Sequence, residues 1–81
     1  MIKNIFINFV EEAVLNPDYD GYIGGRIEFS RQGEEYPLEE IRFFTKDIEG
    51  FNRFRDKCDM KEVSEHGLRQ IRDIVNEKWN K

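Results

Sequence analysis

The chain has 81 residues, 38% hydrophobic and 14% aromatic, enough for one small domain with a single core and too apolar for a disordered chain. It holds no apolar run near the roughly 20 residues of a membrane span, and its first residues lack the pattern of a secretory signal. One cysteine, Cys58, leaves no partner for an internal disulfide, and these features together lead us to expect a cytoplasmic protein.

Residues 3–10 alternate as a strand does, with Ile5, Ile7 and Phe9 on one face and Asn4, Phe6, Asn8 and Val10 on the other. The stretch also meets helical spacing through Ile2, Phe6, Phe9, Val10, Ala13 and Val14, a helix that Asn16-Pro17 would end. Its β-branched and aromatic density favours the strand. Asn16 to Gly21 is turn chemistry. Residues 22–31 alternate again, Ile23, Ile27 and Phe29 against Tyr22, Arg26, Glu28 and Ser30, with Gly24-Gly25 marking a bulge or a close backbone approach. Gln32-Gly33 predicts a hairpin turn, and residues 35–45 the returning strand. Within it Tyr36 and Leu38 differ in parity from Ile41 and Phe43, which places a bulge at Glu39-Glu40.

Two helices follow. Thr45 or Asp47 caps the first, whose stripe is Ile48, Phe51, Phe54 and Cys58. Asp59-Met60-Lys61-Glu62 reads as a capping box opening the second. Met60, Val63, Gly67, Leu68, Ile71, Ile74, Val75 and Trp79 lie on its apolar face, with Gly67 mid-helix. Lys61–Glu65, Glu65–Arg69, Arg69–Asp73 and Glu77–Lys81 are spaced for ion pairs on the outer face. The expected architecture is α+β in one domain, a three-stranded antiparallel meander with two C-terminal helices packed on one face. An N-terminal helix, then a β-hairpin and two helices, is the alternative.

The net charge of −4 is unevenly laid out. Residues 1–50 hold 11 acids and five bases, whereas residues 51–81 hold six acids and eight bases. Residues 11–40 concentrate the contrast: Glu11, Glu12, Asp18, Asp20, Glu28, Glu34, Glu35, Glu39 and Glu40 against Arg26 and Arg31. Like charges so clustered cost stability, so they serve solubility or a basic partner.

Motifs for catalysis are sparse. Asn16-Pro17-Asp18-Tyr19-Asp20-Gly21-Tyr22-Ile23 resembles an EF-hand calcium loop at Asp18, Asp20, Gly21 and Ile23. It departs at Asn16, at Pro17 and at the twelfth position, where Ile27 stands for the bidentate carboxylate. Cys58 and His66 are the only soft ligands, too few for a zinc site. The doublets Glu11-Glu12, Glu34-Glu35 and Glu39-Glu40 point to opposite strand faces and cannot form a paired-carboxylate site. Gly24-Gly25 lacks the further glycines and the lysine of a phosphate loop. Arg53, Arg55, Lys57, Lys61, Arg69 and Arg72 form a basic run broken by Asp56, Asp59, Glu62, Glu65 and Asp73, a weak footprint for nucleic acid.

The expected function is therefore non-enzymatic binding of a basic protein surface, that of a nucleic-acid-binding protein or complex. No cofactor or metal and no membrane are expected to take part. Asp18, Tyr19, Asp20, Tyr22, Glu34, Glu35, Tyr36, Glu39 and Glu40 are the candidate contact residues, carboxylates for steering and tyrosines as anchors. In size and charge the chain resembles phage and mobile-element inhibitors such as anti-CRISPR proteins, antitoxins and immunity proteins, a resemblance that implies occlusion of a nucleic-acid site. A nucleic-acid-binding regulator using the basic helix junction at Arg53, Arg55, Lys57 and Lys61 and, ranked lower, a calcium-binding module using residues 16–28 are the alternatives.

Overall fold

The computed structural model describes residues 4–80. Ile2 of the helical alternative, Lys3 at the start of the strand and the Glu77–Lys81 pair lie outside them. The elements are β1 (Ile5–Glu12), a 3-10 turn (Pro17–Tyr19), β2 (Ile23–Arg31), β3 (Glu39–Thr45), α1 (Ile48–Cys58), β4 (Glu62–Val63) and α2 (Glu65–Lys78). The strands form one antiparallel sheet in the order β3-β2-β1-β4, so the fold is α+β with four strands where three were expected.

The N-terminal segment is a strand, and the helical alternative is overturned. A helix would present its apolar stripe to one neighbour, whereas β1 sits between β2 and β4 and needs backbone pairing on both sides. Its register runs from Ile5↔Arg31 to Glu12↔Gly24 without interruption. Ile5, Ile7 and Phe9 are buried with Ile27, Phe29, Ile41 and Phe43 on one sheet face. Phe51 from α1 and Leu68, Ile71, Val75 and Trp79 from the C-terminal segment join the same cluster, so both helices cover that face. Burying each such side chain is worth about 1.5–3 kcal/mol.

The capping-box pattern at Asp59–Glu62 belongs to a turn and the fourth strand. Residues 59–63 do not begin a helix. Asp59 closes α1, its N–H donating to Arg55 O at 2.8 Å, and its Oδ1 accepts from Phe9 N–H at 3.2 Å. Met60 turns the chain at φ +64 with its side chain exposed. Lys61 O then accepts from Ile7 N–H, and Ile7 O from Met60 N–H, both at 2.9 Å. Ser64 caps α2, its hydroxyl accepting from Gly67 N–H at 3.1 Å. Gly67 thus lies in the first turn of α2 rather than mid-helix, and Met60 and Ile74 are exposed. Glu65 pairs with Arg31 at 2.8 Å instead of with Lys61 or Arg69.

No bulge interrupts Glu39-Glu40. Pairing is one to one from Phe29↔Glu39 to Ile23↔Thr45. The parity break falls earlier, where Leu38 N–H donates to Phe29 O at 2.6 Å, and Tyr36 and Leu38 lie outside the strand and exposed. The turn at Gln32-Gly33 is present, with Gly33 at φ +85 and Glu34 N–H donating to Arg31 O at 3.2 Å. The glycine pair is a close approach. A Cβ on Gly25 would lie 2.1 Å from Val10 O, and Gly24 lets the Phe44 ring close over it from the neighbouring strand. Among the described residues no helix is long and apolar enough to cross a membrane.

Candidate interaction surface

The side chains of β1, β2 and β3 that point away from the helices form an uncovered sheet face. Strand alternation places Phe6, Asn8, Val10 and Glu12, then Gly24, Arg26, Glu28 and Ser30, then Glu40, Arg42 and Phe44 on it. At its centre Arg26 bridges two carboxylates, Glu12 at 2.7 Å and Glu28 at 3.2 Å, and Arg42 reaches Glu12 at 3.4 Å. The Arg26 hydrogen bond holds the Glu12 carboxyl below its ordinary range, and Glu12 and Glu28 in turn push Arg26 up. This face carries mixed charge, Arg26 and Arg42 offsetting Glu12 and Glu28.

Of the nine acids between residues 11 and 40, four are paired. Besides Glu12 and Glu28, Glu11 pairs with Arg55 at 3.3 Å and Glu39 with Arg72 at 3.3 Å. Asp18, Asp20, Glu34, Glu35 and Glu40 are exposed and have no cationic partner among the described residues. All five belong to the candidate contact set.

The structure divides that set in two. Asp18, Tyr19, Asp20 and Tyr22 lie where the chain enters β2, whereas Glu34, Glu35 and Tyr36 follow its far end. The nine residues of β2 separate the groups by about 27 Å. Glu39 and Glu40 point to opposite faces at the start of β3. A single continuous acidic patch is absent from the described residues of one chain.

The tyrosines differ too. Tyr22 stacks on Phe44, centroids 4.8 Å apart at 19°, and Tyr19 meets the same ring edge-on at 5.0 Å. They form a small aromatic cluster over Gly24. Tyr36 is 74% exposed. Beside the cluster a cleft of about 340 Å³ is bounded by Val14, Leu15, Tyr19, Arg42, Phe44 and Asn80. Leu15 projects at its rim, 88% exposed. Sequence reasoning missed this cleft because Val14 entered that reasoning only through the helical alternative and Leu15 fell in no element, so neither read as a wall facing Phe44.

The calcium-like loop is built as a cap. Asn16 Oδ1 accepts from Asp18 N–H at 3.0 Å, and Asn16 O accepts from Tyr19 N–H at 3.0 Å. Ile27, at the twelfth position, is buried in β2, and among the described residues no group of three His, Cys, Asp or Glu is placed to hold a metal. Cys58 packs half-buried against the core, and burial pushes its thiol pKa up. His66 is exposed in the first turn of α2. Within the basic run, Arg55 lies 5.8 Å from the Phe9 ring while bonded to Glu11, and Arg72 is held by Glu39.

The chain matches no protein-family model, and no curated protein or solved structure matches it.

Proposed function

We propose that the protein is a non-enzymatic binding protein of the cytoplasm, where Cys58 remains a thiol. Its free carboxylates cover a basic surface of a nucleic-acid-binding protein and so keep phosphates from it. The observation that carries this reading is the selective pairing of the acids. Glu12 and Glu28 on the sheet face and Glu11 and Glu39 against the helices are neutralised within the chain, whereas Asp18, Asp20, Glu34, Glu35 and Glu40 face solvent with no cationic partner among the described residues. Exposed carboxylates steer a basic partner and raise the rate of encounter. Tyr19, the adjoining cleft and Tyr36 offer the apolar contact that carbonylic and carboxylate oxygens cannot.

The test begins with affinity capture from a bacterial lysate and identification of the bound protein. A variant with Asp18→Asn, Asp20→Asn, Glu34→Gln and Glu35→Gln should fold normally yet bind that partner with a slower on-rate, the difference shrinking at high salt. Tyr36→Ala should weaken binding by about 2 kcal/mol if Tyr36 is an anchor. Wild-type binding by both variants would sink the proposal. Retention of DNA or RNA on a filter by the protein alone would favour the basic run instead.

A further inference from the structure

Strand β3 is an edge of the sheet, and its backbone is covered over only part of its length. Phe44 N–H points away from β2 and donates to Trp79 O at 2.6 Å, with Phe44 and Asn80 forming a parallel bridge. By the two-residue period of a strand, the N–H and C=O groups of Glu40 and Arg42 face the same outer edge. Nothing among the described residues pairs with them. A groove of about 470 Å³ runs along this stretch between β3 and α2, bounded by Glu39, Glu40, Arg42, Arg72, Asn76 and Asn80.

The side chains on the open face are badly matched within one chain. Arg42 lies directly across from Arg26, and Glu40 directly across from Glu28. Like charges opposed in this way are unfavourable. Among the described residues Glu40 has no cationic partner, and Arg42, its side chain 70% exposed, has only the 3.4 Å contact with Glu12. Neither has an unlike neighbour on its outer side among the described residues.

We propose that a second copy of this chain supplies that neighbour, β3 pairing antiparallel with β3 about a two-fold axis through Ile41. The two four-stranded sheets then join into one. In this register Glu40 lies opposite Arg42 of the second copy, and Arg42 opposite Glu40 of the second copy. Each pair exchanges both backbone hydrogen bonds. Other registers that keep the faces aligned fail. An axis through Glu40 sets Glu40 on itself, and one through Arg42 sets Arg42 on itself while pairing Glu40 with the occupied edge of Phe44. Ile41 is also the midpoint of Glu39–Phe43, the part of β3 that the C-terminal segment leaves uncovered. Charged residues on an edge strand usually prevent association. Here their order, acid then base two residues on, makes the edge complementary to itself.

This pairing does not depend on the acidic-surface reading, although it bears on it. Antiparallel joining sets the Asp18–Tyr22 loop of one copy at the same end of the sheet as Glu34–Tyr36 of the other. They would be separated by two to three strand spacings, roughly 10–15 Å.

The test is sedimentation of the full chain across about three decades of concentration, up to roughly 1 mM. A monomer–dimer equilibrium is expected. Glu40→Arg and Arg42→Glu should each weaken it about tenfold, because each places like charges opposite one another twice in the dimer. The double variant carrying both changes should restore it. Each single change relieves a like-charge pair with β2, so a failure to fold is not expected, and melting temperature checks this. Arg42→Pro, which removes an outward N–H that the monomer does not use, should abolish pairing. A chain monomeric throughout overturns the proposal, as does a dimer indifferent to the single reversals or one that the double variant fails to restore.

Discussion

The Trp79 indole N–H donates to Asp47 Oδ2 at 3.1 Å while Oδ1 of the same carboxylate accepts from Gly50 N–H at 3.2 Å. One side chain thereby caps α1 and ties down the C-terminal end of the chain. The Trp79 hydrogen bond, then that from Gly50, holds the Asp47 carboxyl below its ordinary range. A depressed folded-state pKa contributes stability that is present above the unfolded value and lost as pH falls through the folded one. Melting temperature should therefore decline below about pH 4, more steeply in wild type than in Asp47→Asn. Identical pH profiles for the two proteins would show that the carboxylate charge is not used.

Gly67→Leu should destabilise the fold by about 1–3 kcal/mol. A Cβ at Gly67 would stand 3.0 Å from Cβ of Val63, which is held in β4 by pairing with Ile5. Leucine is the better helix former, so the measured loss in urea would be packing cost remaining after a propensity gain of about 1 kcal/mol. An unchanged or higher midpoint would mean that β4 yields easily.

Met60 is the one non-glycine residue at positive φ among the described residues, and its side chain is exposed. The left-handed conformation costs an L-residue about 1 kcal/mol, a cost glycine avoids. Met60→Gly should raise stability by up to about 1 kcal/mol, less the added flexibility of the unfolded chain. Chemical denaturation measures it, and a clear loss would point to a contact made by the Met60 side chain.

Cys58 should react slowly with thiol reagents at neutral pH, since burial raises its pKa more than Lys61 and Lys57 lower it. The native circular dichroism should persist with reductant and chelator present. Loss of helical signal on adding chelator would show a structural metal.

The sheet core was legible because its signal is local. Alternation alone put Ile5, Ile7, Phe9, Ile27 and Phe29 on one face, and all five are buried there. The stretch at 59–63 was not legible, since Asp59 followed three residues later by Glu62 satisfies the capping pattern while the pairing that claims it comes from Ile5 and Ile7, far away in sequence. Tyr36 and Leu38 misled for a related reason, as their parity implied a bulge in a strand that begins only at Glu39. The division of the acids had no local signal either. Which carboxylates are neutralised depends on Arg55 and Arg72, carried by helices whose placement over the sheet the charge pattern does not encode.

Loop length orders the pairing of β1 with β2 before the contacts that Trp79 makes at the end of β3, which has an expected consequence for the kinetics of the fold. β1 and β2 meet across a connection of residues 13–22, a short loop to close, whereas Trp79 must reach Asp47 and Phe44 across the whole of α1, β4 and α2. Interactions made late are absent from the transition state, so weakening them speeds unfolding and leaves folding nearly unchanged. Trp79→Phe should show a φ-value near zero and Ile27→Val a high one. The rim of the sheet, rather than its centre, would then set how long the native state lasts.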